Sequence, residues 1–304
     1  MKKYLTKISI FFILIFLANS AFCQLKTKKI DVLIIDGFSN HNWEQTTSVV
    51  KEILEKSGLF KVSISTAPSE PKDVKWETWN PSFKKFDVVI QNTNNIHNKD
   101  IRWPVNVEKN LEKYVKSGRG LYILHSANNA FAHWEEYNLM IGLGWRPREE
   151  GVSIKITDQG QTEIIPVGEG KATYHGPRNE EVIHILTRHP INLGFPEAWK
   201  TPDMELYKYP RGPAKNITVL SYAREKETNI NWPVEWTISY GKGKVYNSSM
   251  CHLWKGDTYP VSYRCIGFQT TLIRATEWLA TGKVTYKVPE DFPTEFKIRL
   301  AEGY

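Results

Sequence analysis

The sequence predicts an α/β fold in which helices cover a mostly parallel sheet, with an antiparallel β excursion in the second half. Three observations support this prediction. Before residue 125, apolar runs and helical patterns follow one another in the order strand, helix, strand, strand, helix, strand. The apolar runs are nearly continuous, as in strands that are buried on both faces. From about Gly151, apolar and polar residues alternate instead, which is typical of antiparallel strands with one exposed face.

The first strand is predicted at "KIDVLIIDG", residues 29–37, and a helix follows it. Asn42 and Gln45 can form a capping box at the start of this helix, and Gly58 can end it. Residues spaced three or four apart form the apolar face of the helix, namely Thr46, Val50, Ile53 and Leu54.

Two more strands, "FKVSIST" (60–66) and "FDVVIQN" (86–92), precede a second helix. The second helix begins near Pro104 and ends at Gly118, and the strand "LYIL" follows it. Later strands are predicted at "VSIKIT" (152–157), "TEIIPV" (162–167), "NITVLSYA" (216–223), "VEWTISY" (234–240) and "GKVYNSS" (243–249). A last helix carries its apolar residues in register: Phe268, Leu272, Ala275 and Leu279.

Residues 1–23 have the composition of a secretory signal peptide: basic residues first, then an apolar run over 8–17, then small residues. Cleavage after Cys23 would leave residues 24–304 as one domain that is periplasmic or secreted. Lipid attachment at Cys23 is disfavoured because Phe22 is bulky for a lipobox. No later stretch is apolar enough to cross a membrane.

Charge and composition narrow the classes of ligand. Removing the three lysines of the signal peptide lowers the formal net charge from +7 to +4, and the chain has no basic run, so we expect no nucleic-acid partner. Eleven tryptophans are consistent with a large core or with stacking on sugar rings. The sequence leaves open whether Cys251 and Cys265 pair and whether the protein forms a homo-oligomer.

Polar residues follow three of the predicted strands, in "DGFSNHNW" (36–43), "QNTNNIHN" (91–98) and "LHSANNAF" (124–131). Ligands of open parallel sheets collect at the carboxyl ends of the strands. Asn and Asp are also ordinary turn residues, but three such loops at one predicted edge favour a polar pocket.

The corner at His125 has neither the glycines of a G-x-S-x-G elbow nor a cysteine, which disfavours acyl transfer. His125 can serve as a general base or as an anchor of the turn, and the two interpretations are equally supported. His252 follows the last predicted strand, so that His41, His125 and His252 together are an alternative site for a divalent metal, although none shows short ligand spacing. Asp203 and Glu205 would share one face of a strand and could divide acid and base roles.

The chain resembles the trehalose-utilisation (ThuA-like) family over nearly its whole mature length. The resemblance depends on separated motifs in the same order: "VLIIDGFSNHNWEQTT", "YVKSGRGLYILHSANNAF", "WEEYNLMIGLGW", "HPINLGFP", "DMELY", "PVEWTISYGKGKVYNSSMCH" and "TEWLA". It implies a flavodoxin-like sheet similar to class I glutamine amidotransferases but without their catalytic cysteine. The chain departs from the family at Met204, where glutamate is frequent, and at Met250–Cys251, where a Leu-Gly pair is common.

From the resemblance and the residues together, we expect an exported carbohydrate-active enzyme that hydrolyses or eliminates across the bond of a small glycoside or 3-keto-glycoside. His125 would be the base, with His252 or Glu205 as its partner. The expected substrate-binding residues are His41, Asn42, Trp43, Asn128, Asn129, Trp134 and His175. No cofactor is expected beyond the alternative metal site. The competing hypothesis is a non-catalytic sugar-binding protein that kept the pocket of a degenerate amidotransferase-like fold.

Overall fold

The computed structural model describes residues 28–257 and 260–302. The predicted signal peptide lies outside the described residues. Within them, no helix is both long enough and apolar enough to cross a membrane.

The strands begin and end as follows: β1 Ile30–Asp36, β2 Phe60–Thr66, β3 Val88–Gln91, β4 Gly120–Leu124, β5 Val152–Ile156, β6 Thr162–Ile165, β7 Tyr174–His175, β8 Asn179–Ile185, β9 Ala198–Met204, β10 Tyr207–Lys208, β11 Arg211–Gly212, β12 Ile217–Arg224, β13 Asn231–Tyr240 and β14 Gly243–Ser248. The helices are α1 Trp43–Lys56, α2 Val105–Lys116, α3 Glu135–Ile141, α4 Val261–Arg264 and α5 Ile266–Thr281. Short 3-10 turns cover Val74–Glu77, Phe83–Lys85 and His125–Asn129.

Five strands form the parallel part of the main sheet in the order β2-β1-β3-β4-β14. This is the flavodoxin-like order, in which the chain starts near the middle of the sheet and winds outward in both directions. The predicted fold class is therefore confirmed. The carboxyl ends of β1, β3, β4 and β14 lie along one edge, which brings the loops that follow them together.

The antiparallel excursion is also confirmed, and it is larger than predicted. Strands β13, β12, β8 and β9 continue the sheet beyond β14, each antiparallel to its neighbour, and the hairpin β5–β6 joins β13. The sequence pattern did not predict β8 and β9. Their apolar residues are interrupted by charged ones, which hides the alternation.

Helices cover both faces of the sheet. On one face α1 and α5 pack against Val32, Ile34 and Tyr122, and on the other face α2 and α3 pack against Leu33, Val89 and Leu121. Neighbouring residues of a strand point to opposite faces, so continuous apolar strands supply both cores.

Cys251 and Cys265 are free, buried thiols in this structure, which answers the question that their spacing left open. Burial raises the pKa of both thiols. Neither therefore has the environment of a reactive cysteine.

Candidate functional site

Four buried side chains gather at the carboxyl edge of the parallel strands: His41, His125, Glu205 and His252. One potential ligand atom from each lies within 4.8 Å of those of the others. None of the four residues is more than 6% exposed. The three imidazole rings lie edge to face, with centroids 4.8 to 5.4 Å apart. We refer to these four residues as the histidine–glutamate cluster.

Chain topology places the cluster. His41 follows β1, His125 follows β4 and His252 follows β14, so three parallel strands each deliver one imidazole to the same edge. Glu205 follows β9 and reaches the cluster from the antiparallel part of the molecule. Because β9 ends at Met204 and Asp203 has a positive φ, Asp203 and Glu205 do not share a strand face, which corrects that expectation.

Hydrogen bonds fix the tautomers of His41 and His125. The Nδ1 atom of His125 lies 2.8 Å from the Ser249 carbonyl oxygen, which can only accept, so this Nδ1 donates. The Nδ1 atom of His41 lies 2.9 Å from Asn40 Oδ1, an oxygen that also accepts a bond from Asn94. Both imidazoles therefore carry their lone pair on Nε2, and neither Nε2 has a hydrogen-bond partner among the described residues.

His252 has the opposite tautomer. Its Nδ1 lies 3.1 Å from Nη1 of Arg178, and a guanidinium can only donate. The proton of neutral His252 is therefore on Nε2, which lies 3.2 Å from Glu205 Oε1. Ion pairs with Asp203 (3.1 Å) and Asp257 (2.8 Å) hold Arg178 in place.

Burial controls the charge of the cluster. It lowers the pKa of His41 to about 2 and that of His125 to about 4, and it lowers the pKa of His252 strongly. The positive charges of neighbouring groups add to this effect. Burial raises the pKa of Glu205, while nearby His175 and Arg178 oppose the rise. At neutral pH the three imidazoles are uncharged, so His41 and His125 keep free lone pairs.

The backbone is strained beside the cluster. His125 has φ +42°, Asp203 +50° and Cys251 +70°, in the region that favours glycine. Strained residues concentrate where surrounding structure must hold a side chain in a functional position.

Two cavities of about 390 Å³ each lie on this side of the molecule, and none of the four cluster residues lines either of them. Asn40, which lines one cavity, is the hydrogen-bond partner of His41. We call them the Trp145 cavity, which Asn129 also lines, and the Trp43 cavity, which Asn40 also lines. Asn95 lines both, so the cavities meet at this side chain. A wider open groove of 620 Å³ on β8 and β12 contains none of the cluster residues.

His175 lies between the cluster and Trp145, although it does not itself line the Trp145 cavity. Its Nε2 lies 3.6 Å from Glu205 Oε1, and its ring centroid lies 5.5 Å from that of Trp145. Its side chain is 33% exposed, unlike those of the buried cluster histidines. Tyr207 forms a second link, because its ring contacts both Trp145 and His125.

The structure distributes the other predicted site residues over several environments. Asn42 caps α1: its Oδ1 accepts from the Gln45 amide and its Nδ2 donates to the Gln45 side chain, which is the predicted capping box. Asn128 is fully buried, and both of its amide atoms lack partners among the described residues. Trp134 packs against Tyr137 and donates to Glu112, within an aromatic core of the described chain rather than along either cavity.

Sequence reasoning did not single out four residues that shape the site: Asn95, Trp145, Arg178 and Trp254. The ring of Trp254 stacks on His41 with centroids 4.5 Å apart. Trp145 ends the motif "WEEYNLMIGLGW" and Asn95 lies in the polar loop 91–98, so both had a signal in the sequence. Arg178 had none, because its partners are more than 20 residues away.

Comparisons with known proteins agree with this architecture. A family model with the description "ThuA: Trehalose utilisation" matches residues 31–279. The crystal structure of a ThuA-like protein from Parabacteroides merdae is 33% identical with a TM-score of 0.83, covering 90% of this chain and 98% of that one. A glutamine amidotransferase from Thermotoga maritima is a distant match at 8% identity and a TM-score of 0.39, covering 73% of this chain and 75% of that one. Among curated proteins, none matches the chain.

Proposed function

The chain belongs to the ThuA (trehalose utilisation) family, and from this premise we propose that it is an enzyme that cleaves a small glycoside, or its 3-keto form, beside the histidine–glutamate cluster. The family supports a general role in trehalose utilisation. The observation that carries the finer proposal is a buried cluster of unpartnered polar atoms that contacts, through Asn40 and through His175 with Trp145, the walls of two cavities with a tryptophan each.

The cavities suit a sugar in chemistry and in size. Trp145 and Trp43 offer flat aromatic faces, on which the apolar face of a pyranose ring can stack. Asn129 and Arg146 line the Trp145 cavity, and Asn40 and Asn94 line the Trp43 cavity, so both offer hydrogen bonds for hydroxyl groups. Two cavities that meet at one residue match a disaccharide, with one ring in each.

A keto group at C3 of the sugar makes the proton on C2 acidic. When a base removes this proton, the electron pair forms a C1–C2 double bond, and the glycosidic oxygen leaves C1 and takes up a proton. This chemistry requires one proton-transfer group and does not require a pair of carboxylates.

His175 is the proton-transfer group in this proposal. The cluster histidines are buried with pKa values far below neutrality, which makes them weak bases at pH 7. The side chain of His175 is partly exposed and its ring packs against Trp145, a residue of the cavity wall. Glu205 lies 3.6 Å from its Nε2, where the carboxylate faces the positive charge that the ring gains. The proposal thus moves the role of base from His125, where the sequence placed it, to His175.

The test measures turnover of 3-keto-trehalose and of unmodified trehalose by the purified mature protein. We expect the wild type to cleave at least one of them and His175→Ala to lower kcat/KM by at least about 100-fold. Sugar affinity, measured by calorimetry, should change only a few-fold, because the substitution leaves both tryptophans in place.

His184→Ala is the matched control, since His184 stacks on Tyr222 in the groove of β8 and β12, away from the cluster. It should turn over substrate like the wild type. A wild type that binds these sugars without cleaving any of them would refute the enzyme proposal in favour of the sugar-binding hypothesis.

A further inference from the structure

We propose that the cluster binds one divalent transition-metal ion through Nε2 of His41, Nε2 of His125 and the carboxylate of Glu205. The inference deepens the proposed function and rests on the same site. It does not depend on turnover, because metal binding is measured directly.

The lone pairs on Nε2 of His41 and His125 are the first observation that supports a metal ion. The Nε2 atoms of His41 and His125 point into a buried space with no hydrogen-bond partner among the described residues. Nearly all buried polar atoms in proteins have a hydrogen-bond partner, and in this cluster the Nε2 atom of His252 is a third atom without one among the described residues. The lone pairs of His41 and His125 require a ligand that accepts electron pairs. A metal ion is such a ligand.

The hydrogen bonds at Nδ1 of His41 and His125 are the second observation that supports a metal ion. His125 donates from Nδ1 to the Ser249 carbonyl, and His41 donates from Nδ1 to Asn40. Metal-ligating histidines use their second nitrogen in this way, which fixes the tautomer and aims Nε2 at the ion.

The third observation is the excess of negative charge around the cluster. Three carboxylates, Asp203, Asp257 and Glu205, surround one cation, Arg178, and the ion pairs of Arg178 go to the two aspartates. Glu205 is 3% exposed, and Arg178, His175 and a hydrogen bond with Trp254 favour its charged form. Among the described residues, however, no lysine or arginine forms an ion pair with it. A buried carboxylate is costly without a positive charge, which a divalent ion would supply.

His252 is assigned as a positioning residue and not as a ligand. The guanidinium of Arg178 occupies the space at Nδ1, so the Nε2 of neutral His252 carries a proton. That Nε2 lies 3.2 Å from Glu205 Oε1, within ion-pair distance but without a hydrogen bond, so the contact places His252 beside the carboxylate and leaves the carboxylate oxygens available to an ion. Ligation through Nε2 would require a proton on Nδ1, against the N–H of Arg178.

Two imidazoles and one carboxylate leave coordination positions open, as in catalytic rather than structural metal sites. The nitrogen and oxygen donors suit zinc, manganese, iron, cobalt or nickel in the divalent state. A bound ion would polarise a keto or hydroxyl oxygen of the sugar. The competing occupant is a water molecule that donates to both Nε2 atoms, which would leave the charge of Glu205 uncompensated.

The experiment measures metal in untagged mature protein by mass spectrometry, and then titrates the chelator-treated protein with Zn²⁺ and Co²⁺. We expect close to one ion per chain and a visible Co²⁺ spectrum. The variants His41→Ala, His125→Ala and the isosteric Glu205→Gln should each bind Co²⁺ at least about 10-fold more weakly. His252→Gln and the distant control His184→Ala should retain the ion, and circular dichroism checks that every variant is folded.

Wild-type protein that neither carries a metal nor binds Zn²⁺ or Co²⁺ at micromolar concentrations would overturn the proposal in favour of water. A loss in His252→Gln as large as that in His125→Ala would overturn the assigned ligand set. Metal binding without turnover contradicts the proposed function alone, whereas turnover by wild-type protein that binds none of these metals contradicts this inference alone.

Discussion

His125 has a strained backbone conformation, and this conformation allows its side chain to form a hydrogen bond. With φ at +42° the residue leaves strand β4 so that Nδ1 meets the carbonyl of Ser249 from the neighbouring loop. The bond holds the ring with Nε2 toward His41 and His252. Both interpretations that the sequence left open, a turn anchor and a functional imidazole, thus describe different nitrogens of one ring.

Glu108 provides a residue-scale prediction about pH. Burial and the nearby Glu112 raise the pKa of the Glu108 carboxyl to about 7 in the folded protein. In the unfolded chain a glutamate ionises near pH 4.5. The contribution of Glu108 to the free energy of unfolding is therefore lost as the pH rises from 4.5 to 7, and it stays lost above pH 7. Glu108→Gln should therefore stabilise the protein at pH 8 by on the order of 1–2 kcal/mol, with a much smaller gain at pH 5.

Urea unfolding of wild type and Glu108→Gln at both pH values measures this difference. Glu135→Gln is the control, because Glu135 is an exposed glutamate at the start of α3. The same gain at pH 5 and pH 8 would show that the carboxyl of Glu108 does not titrate as described.

At the scale of elements, α1 shows how a local signal positions a distant function. Asn42 caps the helix, and this holds His41 on one side of the cap and Trp43 on the other. Helix start signals are local, so the sequence predicted this element and its capping box. The 3-10 turn at His125–Asn129 had no such signal, because its conformation depends on contacts with the loop after β14.

Asn42→Ala tests whether Asn42 stabilises helix α1 as its cap or contacts a bound sugar. We expect a loss of about 0.5–2 kcal/mol in the free energy of unfolding, because the first turn of α1 loses its cap. Asn42→Asp should restore most of the stability. An unchanged free energy of unfolding, combined with weaker sugar binding, would contradict the capping role and favour the expected substrate contact.

At the scale of the whole molecule, the proposed metal ion would connect segments that are far apart in the chain. The three assigned ligands come from the loops after β1 and β4 and from the end of β9. An ion bound by all three would stabilise only the folded state, in which these segments meet.

Chelator treatment should therefore lower the melting temperature of the protein. With the ion at about 100 times its Kd, binding stabilises the fold by about 2.7 kcal/mol, so its removal should cost about 5 °C. Calorimetry on wild type and on His125→Ala, with and without chelator, makes the comparison. An equal decrease in both proteins would mean that the chelator acts elsewhere.

The sequence by itself determined the fold class, the parallel half of the sheet, and the loops in which His41, His125 and Asn129 lie. Hydrophobic period and cap residues are local properties, so they can be recognised without knowing what lies across the sheet. Only the tertiary structure decided that Glu205 joins the histidines, that Arg178 sets the tautomer of His252, and that Trp134 packs in a core while Trp145 lines a cavity. Burial and hydrogen-bond partners arise from contacts between residues far apart in the chain, and no local pattern carries that information.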